Sequence, residues 1–443
     1  MNIDFILNSV LNNGNREAII TEEKTYTFQD VYSEYEKYKC IIKDYAIAEN
    51  SVVAVLADYH TESIALLLVL IENNCIIVPV SETVKMLDQY LRVSEAEYFI
   101  DLSGTEFVLR KCGQTVANPL LLMLKSGKKP GLILFSSGTT GEPKAALHDL
   151  TALMDKFRKP GKMMKTITFL LFDHIGGFNT LMHTLAGGGT IVTMVSRDAE
   201  AVCRVIEKQK VELLPTSPTF INLMLIQKMH ERYDLTCLKL ITYGTENMPQ
   251  STLDQLHAAL PEVRLKQTYG LSEVGIMSTK SQSDDSLWMK LGGEGFETKV
   301  ADDILFIRAK SAMLGYLNAP SPFDDEGWFN TKDKVEVKGE YFRILGRTTD
   351  IINVGGEKVY PIEVESVLLC CDGVLDVSVI GEKSDLLGCV VVAKVQVAAE
   401  NNNRAFIKIL RSFCKDRLEK YKIPVKFTLA EGPLFSDRFK KKR

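Results

Sequence analysis

The sequence lacks any paired-cysteine pattern. Its nine cysteines stand at 40, 75, 112, 203, 237, 370, 371, 389 and 414, with no CxxC and one adjacent pair. A disulfide framework or a zinc site needs spacings that are absent here, so the thiols read as buried and reduced. Long apolar runs are missing too: stretches such as Ile64 to Ile71 fall far below the roughly 20 residues of a membrane span. The start, Met1-Asn2-Ile3-Asp4, has no basic residue and no apolar signal core. Neither sign of charge dominates. Lys plus Arg is 53 and Asp plus Glu 57, a net of −4, which gives no support for a nucleic-acid partner. There is no internal repeat and no low-complexity segment beyond the basic end Lys440-Lys441-Lys442-Arg443. These absences describe a soluble, cytoplasmic protein without a membrane span.

What is present is a chain of 443 residues, 46% hydrophobic and 25% charged, close to ordinary globular composition and long enough for about three domains at ~150 residues each. Short β-rich runs alternate with amphipathic stretches. Ser51 to Leu56, Cys75 to Val80, Ile167 to Phe172, Thr190 to Val195, Val211 to Leu214 and Leu238 to Tyr243 read as strands. His60 to Ile71, a stretch ending at Gln209, and Ser251 to Leu260 read as helices. That alternation predicts α/β architecture with doubly wound sheets covered on both faces. From about Gly292 short strands between Gly and Asp turns, such as Ile304 to Arg308 and Val335 to Val337, suggest a small β-barrel or antiparallel sheet. Pro361 is placed to open a helix with Glu363 and Glu365 in its first turn. Strands at Val374 to Ile380 and Val390 to Val397 and a helix from Arg404 to Leu418 complete an α+β unit. The expected domains are 1–346, a joint at 347–350, and 351–443.

The stretch Gly131 to Ala145, GLILFSSGTTGEPKA, sends an apolar strand into a loop of hydroxyls, glycines and a lysine. Gly138 and Gly141 permit a tight turn and close approach to an anion. Ser136, Ser137, Thr139 and Thr140, with backbone N–H groups, can ring a phosphate chain, and Lys144 adds charge. GxxxxGK[ST] does not fit, so this is no Walker A loop. The motif resembles the phosphate signature of the adenylate-forming superfamily, which includes acyl-CoA synthetases, luciferases and peptide-synthetase adenylation domains.

Further segments support the resemblance in order, over roughly residues 20 to 443. Tyr269-Gly270-Leu271-Ser272-Glu273 resembles YGxTE, which implies Tyr269 stacked on adenine, Ser272 near phosphate and Glu273 on Mg²⁺, a hard cation suited to carboxylate. Tyr243-Gly244-Thr245-Glu246 sits where relatives carry an adenine wall. Thr331-Lys332-Asp333 resembles TGD, whose Asp holds ribose, with Lys in place of Gly. Gly346-Arg347-Thr348-Thr349-Asp350 resembles the hinge segment, implying ribose contact for Arg347 and a pivot at Thr349. Ile352 to Glu365 is similar to the segment after the hinge, where Gly355 and Gly356 would admit a pantetheine arm once a mobile C-terminal domain rotates. Ala186-Gly187-Gly188-Gly189 reads as a turn.

Asp173-His174-Ile175-Gly176-Gly177 carries two implications. In acyl-CoA synthetases a His before such glycines lines the carboxylate end of the acid pocket, implicating His174 and Gly177. In amino-acid-activating relatives an Asp after Phe, here Asp173, pairs with an amine. The C terminus departs from the pattern. Tyr421-Lys422-Ile423-Pro424 matches the approach to the final PRTxxGK motif, but strict register from Pro433 puts Phe439 at the lysine position and Lys440 one residue late. Either Lys440 serves through a local slip, or adenylation is impaired, or the end is a frayed basic tail. The resemblance implies an acid–thiol ligase using ATP, Mg²⁺ and CoA on a small carboxylic acid. An amino- or aryl-acid enzyme loading a carrier protein and a nucleotide-binding module without synthetase activity stand as alternatives.

Overall fold

A computed structural model of the chain describes residues 3–104, 107–136, 142–384, 387–436 and 439–442. Two seven-stranded sheets form the body. In the first, strands Arg264–Gln267, Leu240–Tyr243, Leu213–Thr216, Lys165–Ile167, Thr190–Val192 and Glu17–Ile20 run parallel, and Thr25–Thr27 closes the edge antiparallel. In the second, Gly131–Ser136, Ile76–Val80, Val52–Leu56 and Tyr98–Asp101 are parallel, flanked by antiparallel strands that include Lys144–Asp149 and Gly315–Tyr316. The central strands are nearly continuous apolar runs because helices cover both faces. Helix Thr61–Glu72 is buried at almost every position, a core element between the sheets.

The reading of Ile167 to Phe172 as a strand is corrected. The strand is Lys165–Ile167, Thr168 N still reaches Val192 O at 3.0 Å, and the chain then leaves the sheet to begin helix Ile175–Ala186. Gly177 explains how tightly it does so: a Cβ there would lie 1.9 Å from the Leu171 carbonyl oxygen, so the helix rests directly on the backbone of its own approach loop. The predicted 187–189 turn is present, with Gly188 at φ +63°.

The expected small barrel is a six-stranded antiparallel sheet with an open strand path from Ser278–Ser281 to Phe296–Ala301. Its long hairpin, Phe329–Lys338 with Tyr341–Arg347, ends at Arg347, and the next sheet begins at Ile352–Val354. That five-stranded sheet, with helices Pro361–Leu368 and Arg404–Lys415, forms the C-terminal α+β unit around its own apolar core. Pro361 is at the first position of its helix and Glu363 in the first turn. Glu365 is not there: it is fully buried, and Oε1 accepts a hydrogen bond from Val379 N at 3.0 Å, so it serves the interior rather than the helix dipole. The nine thiols form no disulfide, but Cys40 and Cys370 are exposed, so the expectation of burial fails at these two. No helix of the described residues is long and apolar enough to cross a membrane.

Candidate active site

The C-terminal ends of the first sheet's strands, where loops leave a parallel sheet and ligands settle, open into two adjoining cavities. The larger, about 1590 Å³, takes in His174, Gly244, Ser272, Glu273 and Lys440. The smaller, about 520 Å³, takes in Glu246, Tyr269 and Asp333, and both touch Thr245, Gly270, Arg347 and Lys440. Segments more than two hundred residues apart in sequence therefore meet at one place.

Around the smaller cavity the charged groups are engaged by protein partners. Tyr269 Oη donates to Asp333 Oδ2 at 2.5 Å, and Arg347 Nε lies 3.5 Å from Oδ1. Burial pushes the Asp333 carboxyl above its ordinary range, while the Tyr269 hydroxyl and the Arg347 charge pull it back. Lys332, beside it, holds φ +60°, the left-handed conformation that glycine adopts most readily. Gly244 has no room for a side chain, since a Cβ would fall 2.3 Å from Thr268 Oγ1. Thr245 follows at φ +70°, and Glu246 Oε2 accepts from Thr219 Oγ1 at 2.6 Å.

Glu273, on the wall of the larger cavity, accepts from Tyr316 Oη at Oε1, 2.6 Å, and Lys144 Nζ stands 5.3 Å from the centre of the Tyr316 ring, behind that wall. Tyr316 was not legible as a site residue; it is 43 positions from Glu273 in a two-residue strand. Ser136 ends its strand opposite Lys144 and lines the cleft. Ser137, Gly138, Thr139, Thr140 and Gly141 lie outside the described residues. His148, fully enclosed in the strand from Lys144, lies against the Ser272 and Ser311 backbone without a well-formed hydrogen bond, and burial pushes its pKa down to about 4.

The described part of the tail is tied to the body at several points. Ser436 N donates to Lys440 O at 2.8 Å, Lys442 N to Leu434 O at 2.7 Å, and Phe435 bridges Lys441. The end is a docked turn rather than a frayed tail. Phe439, at φ +50°, turns into an aromatic group with Phe169, Phe220 and Phe435, ring centres 5.4 to 5.7 Å away, and its carbonyl accepts from Ser217 Oγ at 3.0 Å. Lys440 is thereby aimed the other way, its Nζ 2.9 Å from His174 Nε2. With the lysine protonated, Nε2 is the acceptor and the imidazole proton sits on Nδ1. Lys441 points back into the C-terminal unit, 3.6 Å from Glu365 Oε2 and 3.5 Å from Asp376 Oδ1, while its N–H donates to Glu246.

Five sequence candidates do not line the cleft: Lys144, which stands over the Tyr316 ring, and the four that follow. Asp173 is buried and accepts from Ser81 Oγ at 2.7 Å, tying the loop before the helix to the end of strand Ile76–Val80. Gly177 serves helix packing, and Gly176 faces the cavity instead. Gly355 and Gly356, at φ +60° and +98°, form an exposed hairpin turn.

The model of the AMP-binding enzyme family matches residues 7–303, and that of the AMP-binding enzyme C-terminal domain matches 363–434. The chain belongs to the AMP-binding enzyme family. Among curated relatives, a methyl-dioxo-octahydroindenyl-propanoyl:CoA ligase of Rhodococcus jostii is 27% identical over 66% of this chain and 60% of its own length. An indoleacetate–CoA ligase of Aromatoleum aromaticum is 28% identical over 67% and 62%. The chain thus spans about three fifths of the length of these relatives, whereas a 2-succinylbenzoate–CoA ligase of Listeria innocua matches at 23% over 94% and 92%. Among solved structures an anthranilate CoA ligase in complex with anthranoyl-AMP superposes at TM-score 0.85, with 20% identity, over 100% of this chain and 95% of its own. That likeness establishes the shared fold.

Proposed function

We propose that this chain couples ATP cleavage to activation of a carboxylic acid as its acyl-adenylate and then transfers the acyl group to the thiol of CoA. The observation that carries the reading is Lys440 Nζ at 2.9 Å from His174 Nε2, where the nucleotide-side cavity meets the larger cleft. That the three relatives above are CoA ligases supports it.

In the first half-reaction a carboxylate oxygen attacks the α-phosphorus of ATP, the bond to the bridging β-oxygen breaks, and pyrophosphate leaves. A carboxylate is nucleophilic without a base, so the residues have to align and neutralise rather than move a proton. Tyr269 offers adenine a face, and Asp333 with Arg347 the ribose hydroxyls. Ser136, Lys144 and Ser272 are placed for the phosphates, and Lys440 for the charge between carboxylate and α-phosphate. Glu273 fits a magnesium ion brought in with ATP. Among the described residues no three His, Cys, Asp or Glu side chains converge as a metal site, and magnesium typically keeps water and substrate phosphates in its shell around one or two carboxylates. Bound there, it supplies charge neutralisation.

In the second half-reaction the thiol sulfur attacks the acyl carbon, a C–S bond forms, and AMP leaves with the mixed-anhydride oxygen. The exposed Gly355–Gly356 turn would approach the cleft by rotation about 347–350, while Lys440 withdraws; one site used in two arrangements protects the adenylate from water. Engagement of Asp173 by Ser81 disfavours the amine-binding alternative. The free thiols and the use of ATP and CoA favour a cytoplasmic setting.

The test is pyrophosphate release from MgATP over fatty, aryl, hydroxy and amino acids, with and without CoA. Acid-dependent release with CoA-dependent AMP formation is expected. Release indifferent to CoA would transfer the second step to a carrier protein, and ATP binding without release from any acid would overturn the synthetase reading.

A further inference from the structure

The larger cleft continues well beyond the reaction point. One wall is helix Ile175–Ala186, which presents Gly176, Asn179, Thr180 and His183 at helical spacing. The opposite wall is the first sheet, which contributes alternate residues of neighbouring parallel strands: Leu213 and Pro215, Leu240 and Thr242, Lys266 and Thr268. Period 3.6 against period 2 makes a passage running from His174 towards His183. His183 lies nine positions after His174, the residue that caps this helix, about 13 Å at the rise of an α-helix.

The middle of the passage is apolar, with Leu213, Leu240, Ile276 and Phe157 on its walls. Its far end is cationic. Lys159 and Lys239, which also line it, are neutralised by Glu294 and Glu212. Lys156 and Lys266 form no ion pair with a carboxylate among the described residues. Lys156 is held instead by a hydrogen bond from Nζ to the Ile276 carbonyl at 3.1 Å, its ammonium accessible from within the cleft. His183 lies between the two lysines' fields, and the backbone of Gly161 approaches its ring so closely that a Cβ would fall 2.4 Å from Nε2. The surroundings penalise these charges: burial pushes Lys156 down to about 8, and Lys266 and His183 are also lowered. Cations crowded in a partly desolvated recess gain most from an anion of fixed position.

We infer that the acid activated by this chain carries a second anionic group at the end of its tail, received by Lys156, Lys266 and His183 while its reacting carboxylate lies at His174 and Lys440. The inference rests on the proposed acid activation and narrows it from carboxylic acids in general to acids with an apolar spacer and an anion at both ends. It gives a purpose to two lysines that have no carboxylate partner among the described residues, whereas an apolar tail would leave both ammonium groups without a counter-charge in the cleft.

The experiment compares straight-chain monocarboxylic acids with α,ω-dicarboxylic acids of equal length. It uses the full chain and the variants Lys156→Met, Lys266→Met and Lys266→Arg, with ω-sulfonate and ω-phosphonate monoacids to separate carboxylate recognition from recognition of any anion. The first readout is kcat/KM for pyrophosphate release. The wild type should favour a diacid at least about tenfold over its monoacid, as expected of a charged hydrogen bond. Each methionine variant should lose that preference through KM while monoacid turnover stays or rises, and Lys266→Arg should retain it. The second readout, calorimetric binding of the same acids without ATP, needs no turnover. Diacid binding that disappears in the methionine variants, in a protein that releases no pyrophosphate, would uphold the tail-anion site and sink the proposed activity. Equal preference for both acids, or variants that depress both alike, would overturn the inference and leave the activity standing.

Discussion

The two ends of the cleft are wired differently. At the end proposed for the nucleotide the acidic groups have donors from the protein: Asp333 from Tyr269 and Arg347, Glu273 from Tyr316, Glu246 from Thr219 and the Lys441 amide. At the far end Lys156 and Lys266 have no carboxylate partner among the described residues. A network satisfied before ligand arrives holds its geometry rigid and suits a ligand that is always the same. Uncompensated charge does the opposite: it leaves free energy to be gained from the ligand that fits, and so discriminates among ligands.

The largest disturbance of this contrast should come from Lys441→Met, which makes the satisfied end resemble the other. Removing the ammonium leaves Glu365 and Asp376 buried together, and the loss should be about 3–5 kcal/mol, read by urea unfolding of the C-terminal unit. A loss below about 1 kcal/mol would show that the tail does not depend on that pairing. Lys440→Ala should then separate docking from chemistry: stability nearly unchanged, pyrophosphate release down about 10²–10³-fold, the usual range for one electrostatic stabiliser. Unchanged release would remove Lys440 from the reaction.

Next comes a pH effect. An ordinary histidine has a pKa near 6.5, whereas His148 is held at about 4. Between those values the unfolded chain takes up a proton that the folded one refuses. Stability is therefore full above 6.5 and falls as pH falls, by roughly 3 kcal/mol through this group. His148→Leu should flatten that part of the urea midpoint's pH profile; an unaltered slope would mean that the imidazole is hydrated. The smallest effect expected is from Lys332→Gly, which relieves a left-handed backbone beside Asp333 and should raise stability by about 1 kcal/mol, seen as a modest increase in melting temperature.

The satisfied end was largely legible in the sequence, because each of its motifs is a run of adjacent residues, one just after strand Arg264–Gln267 and one within strand Phe329–Lys338. Tyr269 to Glu273 and Thr331 to Asp333 announce their residue types locally. The tail was ambiguous because a single positive φ at Phe439 exchanges which side chain faces the body and which faces the cleft, and no spacing rule registers that reversal. The place of Asp173 was not legible because Ser81, its hydrogen-bond donor, lies 92 positions away. The cationic end was invisible for the same reason. Lys156 belongs to a short turn of helix, His183 to a long helix and Lys266 to a strand, and each alone looks like a solvated surface charge.

The strand that supplies Lys266 continues directly to Thr268 at the reaction end, and alternation places both side chains on the cleft face. On the proposed reading, selectivity and chemistry thus occupy successive same-face slots of one short ribbon, two residues apart. If the proposed reading holds, the cation at 266 could be exchanged for an apolar or acidic group, changing the accepted tail, without rebuilding the end that holds Lys440 and His174. A frame that fixes one end of such a cleft leaves the other end free to drift.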